Sequence, residues 1–214
     1  LQQVRGYYSF PKILDVDRYT IAGRETDAVV AVREMDLSGV EDNWNNRKTV
    51  YTHGYGLVAA YGNRRQSGGE PEWIAKDIPP AGQIEEHEPR IYFGELHGQR
   101  PDQYSIVGAP AGTPPIELDT PGGGEGGNPK TYTYTGNGGV EIGNLWNRLL
   151  YAVKFADVNI LLSDRVHPQS KIIYDRTPRQ LVQGAAPWLK VDGDAYPAVV
   201  DGRIVWIVDG YTTS

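Results

Sequence analysis

The segment 195–214, AYPAVVDGRIVWIVDGYTTS, constrains the fold of this chain more than any other stretch. Two runs rich in apolar residues flank Asp201-Gly202. An Asp-Gly pair in that setting predicts a two-residue β-hairpin turn, because both central residues need a positive φ. A second pair of alternating runs, at 15–35, flanks a turn at Ala22-Gly23-Arg24. The sequence therefore predicts two antiparallel hairpins.

The composition favours strands and turns in the rest of the chain as well. The 214 residues include 26 glycines, 15 prolines and 14 tyrosines, which are typical of turns and half-buried strands. We expect shorter strands at 49–62, 90–96 and 103–109, each interrupted or ended by glycine. A β-rich fold follows from this pattern.

Two helices are expected late in the chain. Apolar residues in 141–157 recur at helical spacing on one face. The residues of that face are Ile142, Leu145, Leu149, Val153 and Ala156. Over 177–189, Thr177 is the expected N-cap and Pro178 the first helical residue. Late helices flanked by strands indicate an α+β fold with antiparallel hairpins rather than an alternating α/β fold.

The length of the chain fits a single domain over 1–214 with one flexible loop. Residues 119–130 are rich in glycine and offer few side chains that could pack, so we expect this loop to be flexible. No run of apolar residues approaches the ~18–20 needed to span a bilayer. We expect a soluble domain that belongs to a longer protein.

Charge and cysteine content exclude several functional classes. A net charge of −6 disfavours nucleic acid and anionic membrane surfaces as partners, because both attract basic faces. The chain has no cysteine, which excludes disulfides, zinc–thiolate sites, iron–sulfur clusters and cysteine nucleophiles. No cofactor is predicted.

The stretch NRKTVYTHGYGLVAAYGN at 46–63 raises a specific question about His53. Its imidazole lies between Tyr51 and Tyr55, so it could be a general base, a metal ligand or a buried histidine bonded within a glycine-rich turn. Gly54 and Gly56 would let another backbone or a ligand approach closely. The sequence favours the buried structural role and leaves the functional one open.

Carboxylates supply the other candidate site residues. Glu95 follows a glycine at the end of an expected strand, near Tyr92, and with His53 is the best candidate for a catalytic role. Carboxylates at strand ends are also ordinary turn or ion-pair residues, so both interpretations of Glu95 stay open. Two Asp-x-Asp pairs could offer hard oxygen ligands, in which case Ca²⁺ is the expected cation. They are Asp15/Asp17 and Asp192/Asp194. Neither pair continues into a calcium-binding loop, and 192–194 could equally be a turn.

Six segments together resemble a known family of bacterial proteins. They are LQQVRGYYSFPKILDVDRYTI (1–21), VYTHGYGLVAA (50–60), IYFGE (91–95), YTGNGGVEIGN (134–144), LLYAVKFADVNILLS (149–163) and APWLKVDGDAYPAVVDGRIVWIVDGYTTS (186–214). In this order they are similar to the UPF0182 family, whose members are uncharacterised multi-pass membrane proteins common in actinobacteria. The resemblance covers nearly the whole chain.

The resemblance implies topology rather than activity. It places the chain in the proximal part of a domain outside the cytoplasmic membrane, with the protein's own transmembrane segments as partners. The family carries no established reaction, so no catalytic residue is transferred.

Three functions are compatible with the sequence. The first is a non-enzymatic extracytoplasmic domain that binds an envelope component or a partner protein, for which Tyr51, Tyr55 and Tyr92 with Gly54 and Gly56 are the expected contacts. The second is a hydrolase or transferase acting on envelope polymers. The third is an accessory domain of a transporter or export machine.

Overall fold

The computed structural model describes residues 8–11, 14–97, 103–120 and 129–212. The strands within them are β1 (Tyr8–Ser9), β2 (Asp15–Ile21), β3 (Arg24–Val32), β4 (Glu34–Met35), β5 (Gly54–Tyr55), β6 (Leu57–Arg65), β7 (Pro71–Lys76), β8 (Ala81–Gly82), β9 (Arg90–Ile91), β10 (Tyr104–Val107), β11 (Glu117–Thr120), β12 (Lys130–Tyr132), β13 (Val140–Glu141), β14 (Lys171–Tyr174), β15 (Lys190–Val200) and β16 (Arg203–Tyr211). The helices are a π-helical turn (Asn46–Val50), α1 (Leu145–Phe155), α2 (Asn159–Leu162) and α3 (Pro178–Ala185). The predicted β-rich α+β fold with antiparallel hairpins is confirmed.

The described residues group into two compact units. The sheet unit comprises 8–11, 14–35, 53–97 and 177–212. The helical unit comprises 36–52, 103–120 and 129–176. A single domain over 1–214 stays a prediction.

Both predicted hairpins are present in the sheet unit. Strands β2 and β3 pair around Ala22-Gly23, with φ values of 49° and 76°, and β15 and β16 pair around Asp201-Gly202, with φ values of 50° and 72°. All four turn residues thus adopt the left-handed conformation that a two-residue turn requires.

A five-stranded antiparallel sheet, in the order β2-β3-β6-β7-β8, forms the centre of the sheet unit. One face of β3, β6 and β7 is buried because apolar residues alternate along the strands, as Val30, Val32, Leu57, Ala59 and Ile74 show. The hairpin β15–β16 packs against this core through partly buried Val199, Ile204 and Trp206.

In the helical unit, α1 and α2 pack near the three-stranded sheet β10-β14-β13. Its core contains Tyr104, Ile106, Ile142, Ile160, Val166 and Ile172. Rings from α1 and β14 extend this core, since Phe155 lies 4.7 Å from Tyr104 and 5.8 Å from Tyr174, measured between centroids. The aromatic residues therefore hold the inner face of α1.

Both predicted helices are shorter than expected. Helix α1 begins at Leu145 rather than 141, because Val140–Glu141 pairs with β14 and the Asn144 side chain accepts a 2.8 Å hydrogen bond from the Asn147 amide as N-cap. Helix α3 ends at Ala185, two residues before Pro187, instead of reaching 189.

The packed face of α1 also differs from the apolar face expected from spacing. Leu145, Leu149 and Val153 are exposed, whereas Tyr151 and Phe155 pack inward. Aromatic rings reach the core between α1 and β14, and the smaller aliphatic side chains are left outside. Sequence spacing identified an apolar face, and the structure leaves Leu145, Leu149 and Val153 of that face exposed.

Two loop and strand boundaries are corrected as well. The expected strand over 49–62 is broken, because the π-helical turn precedes it and β5 and β6 are separated at Gly56. The expected loop 119–130 is shorter, since Thr120 pairs with Lys130 between β11 and β12 and buried Asp119 lies 3.7 Å from the Lys130 ammonium. The remaining residues of the expected loop, 121–128, lie outside the described residues.

Among the helices of the described part of the chain, none has both the length and the hydropathy that crossing a bilayer requires.

Candidate functional site

The sheet unit contains a cleft of about 440 Å³ with a largely acidic lining. Its lining residues are Leu14, Asp15, Val16, Asp17, Arg18, Asp27, Asp194 and Tyr196. Arg18 donates a 2.9 Å hydrogen bond to Asp27, which offsets one of the four carboxylates. Among the ion pairs of the described residues, neither Asp15 nor Asp194 takes part. The cleft is therefore negatively charged.

A bulge in β15 determines the place of Asp194. Val191 pairs with Gly210 and Ala195 with Val208, so that three residues of β15 oppose one of β16. The side chain of Asp192 accepts hydrogen bonds from the Gly193 and Asp194 amides and, at 3.2 Å, from the Tyr211 hydroxyl. Asp192 therefore stabilises the bulge, and Asp194 lines the cleft.

A hydrogen bond links β2 to β15, the two strands that supply most of the cleft lining. The Val199 amide of β15 donates a 3.1 Å bond to the Tyr19 hydroxyl of β2. Asp15 begins β2 and Asp194 lies in β15, so this bond connects two strands that each supply a carboxylate to the cleft. The two aspartates are 179 residues apart in sequence. The two Asp-x-Asp pairs predicted separately thus contribute to one cleft.

The carboxyl groups at the cleft perturb one another. Burial, followed by the charge of Asp194, raises the pKa of Asp15 from 3.8 to about 6. Burial also raises the pKa of Glu95, with further contributions from Glu34, Asp15 and Asp194. The charges of both cleft aspartates therefore act on Glu95, so that Glu95 and Asp194, each a candidate from the sequence, belong to one electrostatic cluster.

The backbone around Glu95 is held by a buried carboxylate that sequence reasoning missed. Glu34 accepts 2.8 Å hydrogen bonds from the Glu95 and Leu96 amides and a 2.7 Å bond from Nδ1 of His97. A Cβ at Gly94 would lie 2.3 Å from a carboxylate oxygen of Glu34, so this glycine leaves the space that the carboxylate occupies. The sequence signal for this arrangement is weak, since Glu34 is one of several charged residues that follow the apolar strand β3.

His53 has a different environment from the cleft. Its side chain is fully buried, its Nδ1 donates a 2.9 Å hydrogen bond to the Gly54 carbonyl, and its ring centroid lies 4.9 Å from that of Tyr92 and 6.4 Å from that of Tyr55. Tyr55 and Tyr92 are buried as well. His53, Gly54, Tyr55 and Tyr92 are therefore brought together, and none of them is among the residues that line the acidic cleft.

The space beside Gly54 and Gly56 is occupied by the protein itself. A Cβ at Gly54 would lie 2.0 Å from the Arg33 carbonyl oxygen, and one at Gly56 would lie 2.7 Å from the Pro80 ring. The amide of Arg33 donates a 3.0 Å bond to the Gly56 carbonyl. These glycines allow the chain at 54–56 to lie against residues 33–34.

Tyr51 does not belong to the same unit as His53. Tyr51 belongs to the helical unit, where its amide donates a 3.0 Å bond to the Asn46 carbonyl and its side chain is half-buried. Within the described residues, no group of three or more histidine or acidic side chains is arranged to hold a metal ion. Asp192 and Asp194 as Ca²⁺ ligands stay a prediction.

Fold and cleft together define a β-rich α+β protein with an acidic cleft. Residues 1–214 match the model of the "Uncharacterised protein family (UPF0182)" over the whole chain, and the chain belongs to this family. The resemblance seen in the sequence is thereby confirmed.

Curated relatives carry the same family name. UPF0182 proteins of Paenarthrobacter aurescens and Leifsonia xyli are each 53% identical over 220 and 215 residues, and one of Bifidobacterium longum is 51% identical over 218 residues. Each match covers 100% of this chain and 20–22% of the relative, so the chain spans about a fifth of the length of these relatives. No solved structure matches the chain.

Proposed function

We propose that this chain is a non-enzymatic binding domain on the extracytoplasmic side of a longer, multi-pass membrane protein. In this proposal, the acidic cleft contacts a cationic group of an envelope component or a partner protein. The observation that carries it is the cleft itself, where Asp15 and Asp194 meet in about 440 Å³. That volume lies within the range of small-molecule sites and exceeds the needs of a single ion.

The electrostatics of the cleft favour a positively charged ligand. The raised pKa of Asp15, caused by burial and by Asp194, means that the ionised cleft carries unfavourable free energy at neutral pH. A bound cation relieves the repulsion and lowers the pKa of Asp15. Binding is therefore expected to be stronger above about pH 6 than below it, where Asp15 becomes protonated.

Thermal unfolding with cationic probes tests this proposal. Spermidine and amine-bearing cell-wall fragments are expected to raise the Tm at about pH 7.5, because ligands that bind the folded state stabilise it. In the Asp194→Asn variant, the affinity should fall roughly fivefold, which corresponds to the loss of about 1 kcal/mol for one solvated charge contact. CaCl₂ in the same assay tests the predicted Ca²⁺ site.

The matched control is Asp164→Asn, which removes the same charge from an exposed position outside the cleft. It should leave the affinity for the probes unchanged. The proposal is contradicted if no cationic probe raises the Tm, or if the two variants weaken binding equally.

A hydrolase or transferase acting on envelope polymers is the second candidate. Its support is the raised pKa of Glu95, which burial and the charges of Glu34, Asp15 and Asp194 produce and which suits a general acid. His53, the catalytic partner expected from the sequence, is buried and bonded to Gly54, so this candidate rests on carboxyl groups alone. Turnover of a cell-wall polymer that Glu95→Gln abolishes would favour it.

A further inference from the structure

The outer side of α1 exposes an unusual amount of apolar surface. Leu145, Trp146, Leu149, Leu150 and Val153 are 73, 66, 41, 50 and 73% exposed, respectively. We name these five residues the outer face. Residues three and four apart are neighbours on a helix surface, so the five side chains form one patch. Such a patch reaches the size, on the order of several hundred Å², at which exposed apolar surface marks an interaction site.

The core of the helical unit does not need these side chains. On the inner side of α1, Tyr151 and Phe155 pack with Tyr104 and Tyr174 and so contribute to that core. The end of α1 is fixed independently. There, the Asp157 carboxylate accepts a 2.6 Å bond from the Tyr104 hydroxyl and a 2.9 Å bond from Nε1 of Trp44. The outer face is therefore not required for the stability of the helical unit.

The charges around α1 argue against a lipid surface as the occupant. Both cationic side chains of the helix turn towards their own unit. Arg148 donates to the carbonyls of Ile142 and Val166, and the Lys154 ammonium lies 3.7 Å from the centroid of the Tyr174 ring. Helices that bind anionic membranes place such cations beside the apolar face. A net charge of −6 points the same way.

The length of the relatives favours a protein occupant. The chain matches 20–22% of proteins that are 51–53% identical to it, so about four-fifths of such a polypeptide lies outside these 214 residues. We propose that polypeptide outside this chain, within the same full-length molecule, covers the outer face through an apolar surface of its own. This inference shares with the proposed function only the premise of a longer protein and does not involve the acidic cleft.

Single cysteines in the full-length protein test this inference. Because the 214 residues contain no cysteine, Leu149→Cys and Val153→Cys can be compared with Gln180→Cys, an exposed position on α3. The full-length protein without an introduced cysteine provides the background. We expect maleimide to react with the two outer-face cysteines roughly tenfold or more slowly than with Cys at 180, as at stably covered positions. After denaturation, all three rates should be equal.

A photo-activated cross-linker on the Val153→Cys variant then identifies the occupant. A product with the mass of one polypeptide, joined to a peptide from outside the 214 residues, supports the inference. A cross-link to a second copy, a lipid adduct, or labelling as fast as at position 180 overturns it. None of these outcomes depends on ligand binding to the cleft, so failure here is distinguishable from failure of the proposed function.

Discussion

Gly54 decides, at the scale of a single residue, how closely two segments approach in the sheet unit. Its missing side chain lets the Arg33 carbonyl occupy the place where a Cβ would lie, 2.0 Å from that oxygen. The Tyr55 amide then reaches the same carbonyl at 2.9 Å. The neighbouring His53 is held by the same local backbone, because its Nδ1 donates to Gly54.

We predict that Gly54→Ala lowers the free energy of unfolding by about 2–4 kcal/mol, because backbone atoms must move to admit the methyl group. Urea unfolding followed by tryptophan fluorescence measures this change. The matched control is Gly184→Ala in α3, where a Cβ would meet nothing within 4 Å. That substitution should stabilise the protein by roughly 0.5–1 kcal/mol through helix propensity. An unchanged stability of Gly54→Ala would contradict the close approach.

At the scale of elements, α1 shows that predicting a helix and predicting which of its faces is buried are two separate problems. The spacing of Leu145, Leu149 and Val153 predicted the helix, and the Asn144 cap explains where it begins. The same residues are exposed, while Phe155 and Tyr151 point to the core. Periodicity reports that a face is apolar, and only packing against β10 and β14 decides which face is inside.

Two alanine substitutions distinguish these faces. Phe155→Ala is expected to lower the free energy of unfolding by about 2–3 kcal/mol, because it removes a ring that packs between Tyr104 and Tyr174. Leu149→Ala removes an exposed side chain and should change the same quantity by no more than about 0.5 kcal/mol. Denaturant unfolding of the 214-residue protein measures both. Equal losses would show that the outer face contributes to the core.

The hairpins were predictable because their determinants are local. Asp201-Gly202 and Ala22-Gly23 carry the left-handed turn conformations, and alternating residues on either side supply the strands. The bulge at 192–194 was not predictable in the same way, since the two pairings on either side of it involve residues of β16. This bulge is the feature that brings Asp194 into the cleft.

For the whole molecule, the acidic groups of the sheet unit make stability depend on pH. Burial and Asp194 raise the pKa of Asp15 to about 6. Burial also raises the pKa of Glu86 to about 7, against the opposing effects of the Leu57 amide and Arg33. The folded state thus binds these protons more tightly than the unfolded chain does. The contribution of both groups to the free energy of unfolding therefore falls as the pH rises from about 4 to about 7.

We predict that Asp15→Asn increases the free energy of unfolding at about pH 7.5 by on the order of 1 kcal/mol, after allowance for solvent screening of a half-buried group. At about pH 4.5 the gain should be smaller, because Asp15 is already protonated in the folded state. Urea unfolding at both pH values measures the difference. Asp164→Asn, at an exposed position, should show no such pH-dependent gain, and a gain for Asp15→Asn that is equal at both pH values would contradict the raised pKa.

The candidate site was predictable in its residues and not in its grouping. Asp192, Asp194, Glu95 and His53 were identified from their residue types and neighbours. The tertiary structure separates their roles, because Asp192 stabilises the bulge in β15, Asp194 lines the cleft, and His53 is buried beside two tyrosines. The role of Glu34 was not predicted from the sequence. Its carboxylate accepts a hydrogen bond from an amide 61 residues away, and only the folded chain brings the two groups together.

The sequence by itself determined the hairpins, the presence of α1 and α3, the acidic charge and the UPF0182 family, because each depends on local patterns or on overall similarity. The tertiary structure alone decided three other features. It brought Asp15 and Asp194 together, filled the space beside Gly54 with the chain's own backbone, and left the apolar outer face of α1 exposed. These features arise from contacts between segments far apart in the chain, and the free energy of such contacts depends on distances and burial that no local pattern encodes.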